Sequence, residues 1–167
     1  MYALISNGQV TKVGELSILF PNTSNPTHAF AIEQGALEVV EGEQKDQRFY
    51  WVTFDSYQVS DVVTRTYTNT PKALEDVTET IEGQTTTTKG LKSQWIAQNK
   101  ASANSLLAAT DWMVIRKAER DVAIPAEVVT ERAKIIADCT AKEAAITAAT
   151  TMETFIAVVA PVVTRTT

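Results

Sequence analysis

The spacing of apolar residues changes once along this chain. Up to about residue 90 they come in short runs that alternate with polar positions, as on strands, and after Gly90 they recur every three or four positions, as on helices. The first runs, Tyr2 to Ile5 and Val10 to Val13, flank Ser6-Asn7-Gly8-Gln9. Asn-Gly tolerates the positive φ that a type I′ turn demands at both central positions, so the chain is expected to open with a β-hairpin. The cluster Phe20-Pro21-Asn22-Thr23-Ser24-Asn25-Pro26 withholds two amide donors and offers side chains that bond their own backbone, which predicts an irregular exposed loop.

Gln47 to Thr70 is dense in aromatic and β-branched residues. Alternation puts Phe49, Trp51, Thr53 and Asp55 on one face of a strand and Tyr50, Val52, Phe54 and Ser56 on the other. With aromatics on both, this strand is expected to be covered on both sides, and Val62 to Thr68 to pair with it across a turn at Ser60-Asp61. Aromatic strands also stack nucleobases, but the basic companions of such platforms are sparse here, which favours a sheet core. Asp76 to Lys89 alternates around Glu82-Gly83-Gln84. It reads as an exposed threonine-rich hairpin in want of a partner strand, or else as a linker.

Beyond Gly90, an amphipathic helix is marked by Leu91, Trp95, Ile96, Ala103, Leu106 and Leu107. Thr110 or Asp111 is expected to cap a new helix with Trp112, Val114, Ile115 and Ala118 inward and Arg116, Lys117, Glu119 and Arg120 in water. A break follows at Asp121 to Ile124, and Pro125 suits a first helical position. Ala126 to about Val159 is one long helix or two parted near Thr150-Thr151. Its apolar residues exceed one narrow stripe, so Ile135, Ile146, Phe155, Ile156 and Val159 are the candidate contact between subunits, with burial inside one chain as the alternative.

These elements give an α+β fold: a small antiparallel β-rich domain over 1–70, a β-hairpin or linker over 71–90, and a helical domain over 91–167 built from a helical hairpin and a long helix. Composition adds mainly exclusions. A single cysteine, Cys139, and a single histidine, His28, leave no internal disulfide and no zinc set of the usual kind. The net charge is −5, so nothing gathers phosphates, and nucleic acid is not an expected partner. The longest apolar runs fall well short of the roughly 18 residues that span a bilayer, and MYALISNGQV lacks the features of a signal peptide, so neither membrane nor secretion is expected. Glycine loops for phosphate, a Gly-x-Ser-x-Gly elbow and a His-Glu-x-x-His helix are missing from the sequence. Carboxylates such as Glu41, Glu43, Glu75 and Asp76 could form a glycosidase pair, and a solvated rim accounts for them better. The expectation is a non-enzyme without cofactor or metal.

The stretch ANSLLAATDWMVIRKAERDVAIPAEVVTERAKI, residues 103–135, resembles the carboxy-terminal segment of tailed-bacteriophage tail proteins and tail-fibre assembly proteins. The resemblance rests on Leu106 and Leu107, then Thr110, Asp111 and Trp112, then Pro125 and Arg132. The preceding TKGLKSQWIAQNK and the opening MYALISNGQV with its later LFP fit the same group, and about half the chain is covered. The resemblance implies a virion structural protein of the tail, at the baseplate or a fibre attachment, made in the host cytoplasm. Such a protein docks on tail or fibre proteins and on copies of itself. The alternative it implies is a fibre-assembly chaperone absent from the mature virion. Read physically, Thr110-Asp111-Trp112 is a helix cap beside an aromatic buried on the Leu106-Leu107 turn, a clasp with Arg132 as a surface or capping cation.

Overall fold

Asn7 and Gly8 take φ of 53° and 74°, the left-handed pair of a type I′ turn, and join β1 (Tyr2–Ser6) to β2 (Gln9–Gly14) as the opening hairpin. The structure, a computed structural model, describes residues 1–160. The seven residues of the expected helical domain beyond Ala160 lie outside the described part. The chain forms two compact units that meet in sequence at Pro71 and Lys72, and the hairpin expected over 71–90 belongs with the helices.

In the first unit, a five-stranded sheet runs β2-β1-β3-β5-β4, with β3 at Ala36–Glu41, β4 at Tyr50–Val59 and β5 at Val63–Pro71. Strand β5 returns between β3 and β4, antiparallel to β4 as expected but parallel to β3, with Glu41 opposite Arg65. Gly42 then donates its amide to the Arg65 carbonyl at 2.9 Å. A Cβ there would lie 2.5 Å from that oxygen, so only glycine fits without a shift. Two short helices, α1 (Leu16–Leu19) and α2 (His28–Glu33), accompany the sheet, the second capped by Thr27. Ala3, Leu19, Ala31, Ala36, Phe49, Tyr50 and Val63 are buried.

The expectation that β4 is covered on both sides is corrected. Trp51 is 62% exposed and Phe54 46%, so only Tyr50 at the start of the strand, with Phe49 just before it, is core. The five small or medium side chains and two aromatics of this core cannot bury a ten-residue aromatic strand twice over.

The second unit opens with β6 (Val77–Ile81) and β7 (Gln84–Thr88), a separate two-stranded ribbon whose turn residues Glu82 and Gly83 have φ of 50° and 81°. Three helices follow: α3 (Leu91–Arg120), α4 (Ala126–Ala148) and α5 (Met152–Val159). The first amides of α3 have no partner inside the helix. They are taken by the segment before the ribbon: Leu91 and Lys92 donate to the carbonyls of Ala73 and Leu74, and Gly90 donates to Asp76 Oδ1 at 2.8 Å. The approach is so close that a Cβ on Gly90 would sit 2.3 Å from the Glu75 carbonyl oxygen.

Helix α3 runs unbroken through Thr110 and Asp111, correcting the expected cap. From Leu91 to Arg120 there is neither Gly nor Pro, and Thr110 Oγ1 bonds back to the Leu107 carbonyl at 3.1 Å instead of starting a new helix. The break over 121–125 is real: Asp121 turns left-handed at φ 54° and Pro125 precedes the first turn of α4, one position earlier than expected. The long carboxy-terminal segment resolves into two helices, parted where Thr151 and Thr154 exchange side-chain and backbone bonds in a capping box.

Candidate functional site in the helical hairpin

Arg132 stands on the second turn of α4, where the antiparallel return of the chain brings it against the middle of α3. Its Nη1 donates to the Leu107 carbonyl at 2.8 Å and to Thr110 Oγ1 at 2.6 Å, and its Nη2 donates to Asp111 Oδ1 at 2.8 Å. The planar guanidinium thus spans three acceptors on one turn of the facing helix, a geometry that an ammonium cannot match. Its side chain is only 18% exposed, whereas that of Asp111 is 54% exposed. Thr110 passes its own proton to Leu107 and receives one from Arg132, so the network closes on itself.

Four of the seven residues carrying the family resemblance, Leu107, Thr110, Asp111 and Arg132, therefore meet in one place. Pro125 lies at the turn that makes the meeting possible. Trp112 and Leu106 do not join. They are 51% and 63% exposed, which corrects the reading of Trp112 as a core anchor on the Leu-Leu turn. A helix without a break at Thr110 points residue 112 away from the side that Arg132 reaches, and Arg116 lies over the indole at 4.8 Å from the ring centre. The role expected of the aromatic is filled by Arg132, which the sequence reading left as a surface or capping cation.

The candidate subunit contact is also redistributed. Ile146, Phe155 and Val159 are buried inside the chain with Leu91, Ala149 and Met152, and Trp95 meets Phe155 edge to face. Ile135 and Ile156 are partly covered. The alternative of burial within one chain holds for these three residues, since α5 folds back on α4 and supplies the third helix they need. Apolar surface remains elsewhere, on Leu106, Trp112, Val114, Ile115, Val129 and Ile136. Between α3 and α4 lie two clefts of about 170 and 180 Å³, one bordered by Thr110, Val128 and Arg132 and the other by Asn99, Ile135 and Cys139.

The chemistry of Arg132, Thr110 and Asp111 is that of a fastening. Each polar group is already engaged by another, and neither a nucleophile with a base nor a pair of carboxylates stands free in either cleft. Cys139 donates its thiol to Glu143 Oε1 at 3.2 Å, and that carboxylate together with partial burial pushes the thiol pKa up, away from nucleophilic use. Of the carboxylates weighed for hydrolysis, Asp76 and Glu75 are likewise committed. Asp76 holds Ser93 and Gly90, whose hydrogen bonds, Ser93's foremost, keep it below the usual aspartate range, and Glu75 pairs with Lys92. His28 Nδ1 lies 2.7 Å from the Tyr2 hydroxyl. Among the described residues there is no group of three or more His, Cys, Asp or Glu placed to hold a metal, and no helix long and apolar enough to cross a membrane.

A second cluster, missed by sequence reasoning, lies on the sheet of the first unit. Strand alternation separates Phe54 from Tyr57, but a bulge between them puts both on the face of Arg65 and Tyr67. The bulge is held by Thr66, which bonds the amide, carbonyl and hydroxyl of Ser56. Arg65 lies 5.5 Å from the Phe54 ring centre and 5.7 Å from that of Tyr67, and it pairs with Glu41 at 3.0 Å. Tyr67 also donates to Glu41, and this bond, with Arg65, holds the Glu41 carboxyl below its usual range. No short motif encodes this cluster, because its members come from three strands. No protein-family model, no curated protein and no solved structure matches the chain.

Proposed function

We propose that the protein is a non-enzymatic structural component of a bacteriophage tail, a baseplate or fibre-associated subunit that acts by docking on other proteins. The observation that carries the reading is the clasp itself. Four of the seven residues by which 103–135 resembles tail proteins fasten α3 to α4: Arg132 on Leu107, Thr110 and Asp111. A motif whose polar groups are spent on one another preserves a shape, which is what a docking subunit requires. The apolar side chains standing out from the same two helices, Leu106, Trp112, Ile115, Val129 and Ile136, supply surface of the kind that a protein partner covers.

Quantitative mass spectrometry of purified particles tests the reading. The expected result is the protein at a fixed ratio to the tail proteins. Its presence bound to fibre protein in infected cells, combined with its loss from finished particles, would replace the structural role with that of an assembly chaperone. Association with neither would remove the tail reading altogether.

A further inference from the structure

Every strand residue of the ribbon β6–β7 is exposed, and an isolated two-stranded hairpin is marginal in water. Its register is fixed by the two-residue turn at Glu82-Gly83: Ile81 faces Gln84, Glu79 faces Thr86 and Val77 faces Thr88. In an antiparallel hairpin closed by a two-residue turn, these are the pairs that exchange backbone bonds. Thr85 and Thr87 therefore turn their amides and carbonyls outward, along the free edge of β7, and Thr78 and Thr80 do the same on β6. The side chains agree with this assignment, because Thr78 meets Thr87 and Thr80 meets Thr85, Oγ1 to Oγ1 at 3.1 Å, at the closer, non-bonded positions.

The two edges differ in charge. Glu79 sits at the centre of β6, between its two outward residues, with Asp76 and Glu82 just beyond the strand ends. Two copies of β6 laid edge to edge would set Glu79 against Glu79, and a charge at mid-strand is how natural sheets keep an edge from pairing. Strand β7, Gln-Thr-Thr-Thr-Thr, carries no charge, no proline and no bulge. It is also its own complement. In an antiparallel pair centred on Thr86, Thr85 of each copy exchanges backbone bonds with Thr87 of the other, and the two Thr86 side chains meet at a non-bonded position. There they repeat the threonine contact that the ribbon already makes twice internally.

The geometry points to β7 as a self-pairing edge whose occupant is β7 of a second copy, giving a four-stranded sheet β6-β7-β7-β6 about a two-fold axis through Thr86. This inference rests on the ribbon and is independent of the tail reading.

The test is the mass of the full-length protein in solution by light scattering and sedimentation. Wild type is expected to be a dimer. Thr87→Pro removes an outward amide and leaves the bonds between β6 and β7 in place, so it is expected to halve the mass without changing the circular dichroism spectrum. A second arm covers the case in which proline unsettles the hairpin. Thr86→Lys and Thr86→Glu place like charges across the axis, and each is expected to be monomeric alone and dimeric when the two are mixed. A monomeric wild type overturns the inference. So does a dimer that survives Thr87→Pro or either charged variant, which would move the contact to the helices or to another strand.

Discussion

The guanidinium of Arg132 lies 2.8 Å from the carbonyl oxygen of Leu107, a residue 25 positions earlier in the chain and on the opposite arm of the hairpin. That carbonyl belongs to the run of α3 where a cap at Thr110 or Asp111 would have ended one helix and begun another. By taking Thr110 and Asp111 as acceptors as well, Arg132 removes the reason for either to cap. The clasp and the continuity of α3 are thus one feature.

Arg132→Ala is expected to lower the stability of the helical unit by about 2 kcal/mol, because charge-assisted hydrogen bonds contribute about 1.5 to 3 kcal/mol each and Asp111 retains access to water when its partner is lost. Arg132→Lys is expected to recover less than half, since an ammonium cannot reach three acceptors in one plane. Urea denaturation followed by helical ellipticity checks both. A lysine variant as stable as wild type would show that charge alone, and not the fork, holds the hairpin.

Phe155 and Trp112 of the helical unit should lose very different amounts of stability on truncation. Phe155, fully buried against Trp95 and its neighbours, is expected to cost about 3 to 5 kcal/mol as Phe155→Ala. Trp112, half exposed with only the Arg116 stack to lose, is expected to cost about 1 kcal/mol or less as Trp112→Ala. Thermal melts of the two variants, read side by side, decide the matter, and a large loss at Trp112 would restore it as the anchor of the hairpin.

What could be read from the sequence was local. Asn7-Gly8 announces its turn because positive φ is a property of one or two residues, whereas Glu82-Gly83 left a hairpin or a linker open and Thr150-Thr151 left one helix or two, choices the structure makes for the hairpin and for two helices. The α+β division follows from the change of apolar period at Gly90. Thr110-Asp111 misled for the opposite reason: the choice between cap and mid-helix depends on Arg132, more than twenty residues away. Tyr57 joined the face of Phe54 only through the bulge that Thr66 holds from the neighbouring strand. The parallel pairing of β3 with β5 likewise has no signature in either strand alone, and α2, six residues long, is too short to show a period. Which apolar residues of α4 and α5 were core and which were surface depended on α5 folding back, a long-range fact.

Asp76 ties the start of α3 to the segment before the ribbon, and its pH dependence has a definite sign. Hydrogen bonds from Ser93 and then Gly90 hold its carboxyl below the ordinary aspartate value, so the folded state binds the proton less readily than the unfolded chain. The stabilisation is complete above the unfolded value of about 4 and is lost as pH falls through the lower folded-state value. Glu41, also held low by Tyr67 and Arg65, contributes with the same sign in the other unit. The informative quantity is therefore the difference between wild type and Asp76→Asn. Wild type is expected to melt higher at neutral pH, with the gap closing below about pH 4; a gap that stays constant to pH 2 would mean that the charge of Asp76 contributes nothing.

Cys139 offers a chemical readout of the same hairpin. Its thiol donates to Glu143, while Asn99 donates to both its sulfur and its carbonyl oxygen, at 3.2 and 2.9 Å. Glu143, itself paired with Lys100 at 3.4 Å, raises the thiol pKa first by accepting that bond and further by its charge. Alkylation requires the thiolate, so near pH 8, just below the ordinary thiol value of about 8.5, Cys139 is expected to react several-fold more slowly than free cysteine. Removing the carboxylate as Glu143→Gln lowers the barrier to ionisation and is expected to speed the reaction, with little change in the melting temperature. Iodoacetamide labelling followed by intact mass measures both rates. A Glu143→Gln variant that labels no faster than wild type would assign the protection to packing between α3 and α4 instead of to the hydrogen-bonded carboxylate.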